Sequence, residues 1–232
     1  MKTILVKKKM ISLKKMLFAS FCTLLLLFFL PLTACKKSVK YYDYVSELRN
    51  NIFLYSNDEL SLRVFSSVKE VPYDSDGIKR ECSPRTEFFL TAPSGDKNYI
   101  LTFVVNGKEY GGELSFDNVK AEYYYSCSLD TSSLKEISCK LQQGESEQTF
   151  SALSVLTEKT LQPKAILQNL VHEEKELFDS MTDKYGFAGE IYLRLLFEDA
   201  PFYYVGVINR QGNVYAFLFN AETGKLLAKR QS

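Results

Sequence analysis

The strongest constraint on the fold is a long series of short strand-like runs separated by clusters of turn residues. The clearest pair comprises residues 97–105 and 108–116, which flank Asn106-Gly107. Asn-Gly favours a tight β-hairpin, because both central residues of that turn need positive φ angles. Further strands are predicted at residues 51–56, 61–69, 86–92, 121–129, 136–142 and 148–156. Strands at this spacing predict an immunoglobulin-like β-sandwich over residues 51–156.

The pattern changes near residue 161, after which one helix is predicted before a group of strands. Pro163 is typical of a first helical turn, and apolar residues recur at helical spacing up to about residue 184. Glu174 interrupts that apolar arc. Either it pairs with a basic residue of the sheet, for which Arg194 is the candidate, or the helix exposes it there. The strands that follow are predicted at residues 190–198, 202–209, 214–220 and 225–229.

These last strands have two apolar faces, which a single helix cannot cover. The uncovered face must therefore meet the sandwich, a partner chain or water. Burial or exposure of Tyr192, Phe217 and Phe219 would show whether this face is covered.

Two of the predicted strands carry a more specific pattern, in residues 202–208 and 214–227. Their sequences are Phe-Tyr-Tyr-Val-Gly-Val-Ile and Val-Tyr-Ala-Phe-Leu-Phe-Asn-Ala-Glu-Thr-Gly-Lys-Leu-Leu. The segment resembles the PepSY domain, although Asn220 stands where that family usually has aspartate. The resemblance implies a helix plus antiparallel sheet over residues 160–232, with no catalytic residues. The expected fold class is therefore α+β, with the sandwich followed by this PepSY-like module.

The N-terminal segment has the composition of a bacterial lipoprotein signal peptide. Six lysines and no acidic residue occur within the first sixteen positions, and an apolar run follows from Leu17 to Leu32. A helix that spans a bilayer needs about 20 residues, so this run is short for a permanent span. It leads into Leu32-Thr33-Ala34-Cys35, which resembles a lipobox. An uncleaved transmembrane anchor is the alternative interpretation.

The lipobox implies cleavage after residue 34 and acylation of Cys35, which leaves a lipidated tether over residues 35–50. Two acyl chains make membrane binding stable, at about 0.8 kcal/mol for each buried methylene. We therefore expect a protein on the extracytoplasmic face of the cell membrane, held by its lipid anchor. The whole chain also resembles uncharacterised lipoproteins of Gram-positive bacteria.

The charge of the mature chain bears on its partners. Without the six signal lysines, 23 basic residues remain against 28 acidic ones, a net charge of about −5. Such a chain offers no strongly basic surface for a phosphate backbone. Nucleic acid is therefore not an expected partner.

Cysteine usage is consistent with an oxidising compartment. Three cysteines remain beyond the signal and Cys35, namely Cys82, Cys127 and Cys139. A hairpin turning at residues 131–134 would place Cys127 opposite Cys139, where Cα atoms approach to about 4.5 Å in a non-hydrogen-bonded pair. A disulfide between these two is predicted, with a pair of free thiols as the alternative. Cys82 has no evident partner.

The sequence lacks the common motifs of catalysis. It contains no glycine-rich phosphate loop, no Gly-x-Ser-x-Gly and no His-Glu-x-x-His. The single histidine, His172, is predicted on the solvent side of the helix, which disfavours a triad or metal centre. Asp74, Asp76 and Gly77 resemble the start of a calcium loop without its later ligands, so a turn is favoured. We expect no cofactor, no metal and no enzymatic activity.

These observations predict a non-enzymatic protein-interaction module of the cell envelope, with another envelope protein as its partner. Two alternatives remain open. The PepSY resemblance implies a regulator or inhibitor of an extracytoplasmic protease. Tyrosine-rich runs at residues 41–44, 123–125 and 203–204 are compatible with a peptide- or glycan-binding lipoprotein, although alternate aromatics in strands are more often core.

Overall fold

Strands dominate the computed structural model, which describes residues 39–93 and 97–231. The strands are β1 (Val45–Ser56), β2 (Ser61–Lys69), β3 (Ser83–Thr91), β4 (Ile100–Val105), β5 (Lys108–Glu113), β6 (Ser115–Asp117), β7 (Glu122–Cys127), β8 (Glu136–Gln143), β9 (Ser146–Ser154), β10 (Thr182–Asp183), β11 (Gly186–Phe187), β12 (Gly189–Phe197), β13 (Pro201–Asn209), β14 (Val214–Asn220) and β15 (Leu226–Gln231). The helices are a 3-10 helix (Tyr41–Tyr44), α1 (Pro163–Glu173) and α2 (Lys175–Ser180).

Thirteen of the described strands belong to one sheet, whose longest path runs β15-β14-β13-β12-β1-β2-β3-β7-β6. A branch leaves β1 through β9 and continues through β8 and β4 to β5. Strands β1 to β9 form a rolled part of this sheet. Within it the consecutive strands β5 and β6 pair with β4 and β7 respectively, so the chain between β5 and β6 links the two ends of the rolled part. This link makes the sheet nearly closed around its interior.

The expected α+β class is wrong, because strands make up 54% of the described residues and helices only 11%. Within the described ranges the strands do not divide into an immunoglobulin-like sandwich and a PepSY-like helix-plus-sheet module. The physical reason lies in β1, which begins six residues before the first predicted strand. Its added residues pair in parallel with β12, from Val45 opposite Ile191 to Arg49 opposite Arg194. One strand thus joins the two regions into a single sheet.

The interior of the rolled part holds the first of two buried apolar clusters. Phe53, Phe88 and Phe103 are among its largest side chains, each no more than 1% exposed. Phe88 and Phe103 pack with their ring centroids 4.5 Å apart. Because each strand sends alternate side chains into this interior, the cluster matches the period-2 pattern of the sequence.

The second cluster lies between the helices and β12–β14. Ile166 and Leu170 of α1 and Phe178 of α2 are at most 1% exposed, and they pack with Leu193 and Val205 of the sheet. The apolar arc that predicted the helix therefore faces the sheet, as expected from its spacing. Burial of such side chains stabilises the fold by about 1.5–3 kcal/mol each.

The helix itself is shorter than predicted and is divided at Glu174. This residue has φ −109° and ψ 40°, which ends α1 and precedes α2. Its carboxylate pairs with Lys229 of β15 at 2.9 Å, so it does pair with a basic residue of the sheet. Arg194, the candidate partner, instead pairs with Glu47 of β1. The helical segment ends at Ser180 rather than near residue 184.

The predicted hairpin at Asn106-Gly107 is confirmed. These residues have φ angles of 51° and 75°, as a two-residue turn of this kind requires, and they connect β4 to β5. The strand predicted at residues 214–220 also has the bounds of β14. Local turn chemistry and alternation were therefore sufficient for these elements.

Tyr192 lies on the opposite face of the sheet from Phe217 and Phe219, which pack beneath the helices. Its ring covers Gly206 of β13, where an added Cβ atom would lie only 1.9 Å from Tyr192 Cζ. Tyr192 is 7% exposed and stacks on Tyr204, with centroids 5.7 Å apart. The second face is thus covered at this point by the side chains of its own strands.

Residues Val39–Ser232 form one compact unit. The predicted signal peptide, residues 1–34, and the lipidation site Cys35 lie outside the described residues. None of the helices in the described part of the chain is both long and apolar enough to cross a membrane. The predicted boundaries at residues 51–156 and 160–232 stay a prediction.

Candidate functional site

The structure separates the two cysteines that the sequence predicts as a disulfide. Cys127 ends β7, which pairs with β3 and β6, whereas Cys139 lies in β8, between β4 and β9. The hairpin that would have placed them opposite each other is therefore absent from the described residues, and both thiols are free. Burial raises the pKa of the Cys127 thiol to about 11 and that of the Cys139 thiol to about 12. The Cys127–Cys139 disulfide stays a prediction, but the hairpin on which it was based is not the observed arrangement.

A cleft of about 390 Å³ lies beside the middle of β1. The pairing of β1 with β12 ends at Arg49, and the chain that leaves β9 joins β1 only at Ile52. The cleft lies at this fork, next to Asn50. Its size falls within the range of about 300–1,000 Å³ that is usual for small-ligand sites.

The residues that line this cleft share one property, which is that none of them carries a charged side chain. Eight contribute a hydroxyl or amide group, and four are apolar. The lining comprises Tyr42, Leu48, Asn50, Ser132, Ser133, Leu156, Thr157, Thr160, Leu161, Gln162, Pro163 and Tyr203. The cleft therefore offers hydrogen bonds and apolar contacts without a fixed charge.

Two tyrosines of the lining stay protonated over the physiological range. Burial raises the pKa of Tyr42 and of Tyr203 above the ordinary value of 10.0. The Tyr203 hydroxyl donates to the Leu161 carbonyl oxygen at 3.1 Å, which ties β13 to the segment before α1. These phenols therefore act as hydrogen-bonding groups and not as bases.

A buried asparagine holds one wall of the cleft in place. Asn51 is 0% exposed, and its Nδ2 donates to the carbonyl oxygens of Ser132 at 3.1 Å and Leu134 at 3.2 Å. Its Oδ1 accepts from the Ser154 hydroxyl at 2.7 Å. Because these bonds join β1, the loop after β7 and the end of β9, the cleft is organised before any ligand binds.

The sequence reasoning did not find this cleft. Tyr42, Leu48 and Asn50 precede the first predicted strand, and most of the remaining lining comes from two loops that carry no motif. Residues 45–50 carry no apolar alternation that would extend the strand pattern backward from residue 51. Charged residues within that stretch made it resemble a tether.

The adjacent face of β1 carries a row of cationic side chains. Arg49 lies opposite Arg194 of β12 and opposite Ser67 of β2, and Ser67 lies opposite Arg85 of β3. Side chains at such paired positions share one sheet face. We call this surface the arginine face and define it by Arg49, Arg85 and Arg194, with Glu47 and Glu87 between them.

A third polar cluster lies under the loop of residues 70–82, which connects β2 to β3. Glu70 and Glu190 are 2% and 0% exposed, and one carboxylate oxygen of each has no hydrogen-bond partner among the described residues. The Tyr73 hydroxyl donates to the other oxygen of Glu190 at 3.3 Å. Burial, reinforced by the negative charge of Glu70, raises the pKa of Glu190 from 4.5 to about 7.

Cys82 and the other candidate residues of the sequence do not assemble into a reactive centre. The Cys82 thiol lies 3.3 Å from the Ser46 carbonyl oxygen, and burial raises its pKa. Asp76 accepts from the Ile78 backbone N–H at 3.0 Å, and its side chain pairs with Arg80, which confirms a turn. In the part of the chain that the structure describes, no three His, Cys, Asp or Glu residues lie close enough to hold a metal ion.

Comparison of the chain with protein-family models, with curated proteins and with solved structures finds no match.

Proposed function

We propose that the protein is a non-enzymatic protein-interaction module of the bacterial cell envelope. Acylated Cys35 anchors it to the extracytoplasmic face of the membrane, and the cleft beside β1 holds a short, uncharged segment of an envelope protein. The observation that carries the proposal is the cleft itself, with its volume of about 390 Å³ and its uncharged, hydrogen-bonding lining.

The lining favours an uncharged peptide segment on energetic grounds. A charged group that enters the cleft would lose its hydration without gaining an opposite charge, which is costly. A peptide backbone presents alternating N–H and C=O groups, which the hydroxyl and amide groups of the lining can satisfy. Leu48, Leu156, Leu161 and Pro163 add apolar contact for small side chains. A neutral glycan would use the same chemistry and is the alternative ligand.

The same lining supports a role in binding and not in catalysis. General acid–base catalysis needs a group whose pKa lies near the operating pH. The hydroxyls of Ser132, Ser133, Thr157 and Thr160 line the cleft without a histidine, lysine or carboxylate among the lining residues to activate them. The alternative of a protease regulator depended on the PepSY-like fold, so the correction of that fold removes its support.

The anchoring part of the proposal is tested by Cys35→Ala. We expect the variant to leave the membrane fraction or to keep its signal peptide, because the thiol that would receive the lipid is missing. Fractionation and intact-mass measurement of the membrane protein provide the readout. Unchanged migration and unchanged membrane association of the variant would refute the lipid anchor.

The cleft is tested by placing a photo-crosslinking amino acid at Gln162, on the cleft rim, in cells that carry the anchored protein. Gln168 of α1 is a matched control, because it is also an exposed glutamine, only six residues away, and does not line the cleft. We expect a discrete protein adduct from position 162 and none of that mass from position 168. Identical adduct patterns at the two positions, or no adduct, would contradict the proposal. A glycan-containing adduct would select the alternative ligand.

A further inference from the structure

Arg49 of β1 is a half-buried cation that has no direct ionic partner among the described residues. It makes no hydrogen bond or ion pair with any described residue, and its Nε atom is buried. The guanidinium carbon lies 4.0 Å from the centre of the Phe65 ring. This stacking fixes the planar group at one position on the arginine face.

The acidic groups around Arg49 are already engaged by other cations. Glu47 pairs with Arg194, and Glu87 pairs with Lys69 at 2.7 Å. Glu87 also lies 3.7 Å from Arg85. Arg194, Lys69 and Arg85 thus each pair with a glutamate carboxylate, whereas Arg49 does not.

A cation without a partner in this position is energetically unfavourable for the isolated protein. Burial reduces the hydration of Arg49, and the attraction of the nearby Glu47 and Glu87 is opposed by the positive charges of Arg194 and Arg63. A carboxylate from a partner would offset both the lost hydration and the repulsion by neighbouring arginines, since the guanidinium fork binds two oxygens in its plane. Such a surface, rich in arginine and aromatic side chains, also has the composition of an interaction hot spot.

We propose that Arg49 binds a carboxylate of an acidic segment from a partner protein. The repeated pairing of cations with glutamate on this face identifies the ligand chemistry, and Phe65 and Tyr204 flank it with aromatic surface for the adjoining peptide. The site is separate from the cleft. Leu48 lies opposite Leu193, whose side chain is in the core beneath α1, whereas Arg49, the next residue, lies opposite Arg194 on the other face of the strand pair.

The test uses the full-length protein purified in detergent and short poly-L-glutamate as the probe. Arg49→Met keeps an unbranched side chain on Phe65 but removes the guanidinium, and Arg230→Met removes an exposed arginine near the end of β15. We expect Arg49→Met to weaken poly-glutamate binding about tenfold or more, measured by calorimetry, and Arg230→Met to leave it unchanged. Arg49→Lys should give an intermediate affinity, because it keeps the charge and loses the fork.

The melting temperature separates loss of the site from loss of the fold. Arg49→Met should melt no lower than the unchanged protein, since the charge it removes has no partner. Poly-glutamate binding that is insensitive to Arg49→Met would overturn the proposal. Inorganic phosphate that displaces the probe at lower concentration than acetate would also overturn it, by assigning the site to a phosphate.

Discussion

Replacement of Glu190 by glutamine isolates the cost of a buried carboxylate under the loop of residues 70–82. Glu190 is 0% exposed, and one of its oxygens has no partner among the described residues. Burial therefore favours its protonated form, which raises its pKa to about 7. Glutamine has nearly the same shape as the protonated carboxyl group and cannot ionise.

The magnitude follows from the pKa of Glu190 in the two states of the chain. The unfolded chain has the ordinary value of 4.5, and the folded protein has about 7. Each pKa unit corresponds to 1.36 kcal/mol, so ionisation of this group destabilises the fold by about 3 kcal/mol. Between these values the folded state binds more protons than the unfolded state. The contribution to stability therefore falls as pH rises from about 4.5 to about 7, and it is constant above that range.

The assay is urea unfolding, followed by circular dichroism, at pH 4.5 and at pH 8. We expect Glu190→Gln to be about 3 kcal/mol more stable than the unchanged protein at pH 8 and nearly equal to it at pH 4.5. Glu158→Gln, at an exposed position, is the control and should leave the difference between the two pH values intact. If Glu190→Gln and the unchanged protein show the same pH dependence, then the buried carboxylate does not have the raised pKa that the structure implies.

Three further predictions concern packing, the cleft wall and the cysteines. Gly206→Ala should lower the free energy of unfolding, measured in urea, by about 1–3 kcal/mol, because its Cβ atom would overlap the Tyr192 ring. The same substitution should cost less in a Tyr192→Leu background, whereas an equal cost in both backgrounds would refute the clash. Asn51→Ala should destabilise the protein by about 2 kcal/mol and abolish crosslinking from the cleft rim; an unchanged adduct would show that the wall does not depend on it. When the protein is denatured without reductant and treated with an alkylating reagent, mass spectrometry should find both Cys127 and Cys139 alkylated. Failure of both to react would establish the disulfide.

The elements that sequence reasoning predicted correctly are those fixed by local chemistry. Asn106-Gly107 specifies its turn through backbone conformation alone, and the alternation in residues 61–69 gives β2 its observed bounds. The apolar spacing in α1 likewise identified the side chains that pack on the sheet, including Ile166 and Leu170. In each case the signal lies within a few residues of the element that it determines.

The fold class was wrong because it depends on pairing between distant parts of the chain. Val45 and Arg49 pair with residues of β12, more than 140 positions later, and no local pattern specifies that register. The partners of Arg194 and Glu174 were missed for the same reason. The sequence offered Arg194 as a candidate partner for Glu174, with exposure of Glu174 as the alternative, but only the sheet topology places Glu47 beside Arg194 and Lys229 beside Glu174.

The candidate site was hidden for a related reason. The cleft is built from the fork between two strand pairings and from loops at residues 132–133 and 156–163, so its members share neither a motif nor a spacing. The arginine face combines residues from three strands, β1, β3 and β12. Sites of this kind become visible only when the register of the sheet is known.

The central claim, that the cleft holds an uncharged segment of an envelope protein, is tested most directly by sequencing what it binds. Proteolysis and mass spectrometry of the adduct formed at position 162 in intact membranes would identify the crosslinked peptide. The proposed function predicts one recurrent segment whose residues next to the crosslink carry no charge, and a synthetic copy of it should compete for the adduct. A charged segment at the crosslink, or unrelated peptides scattered over many proteins, would contradict it.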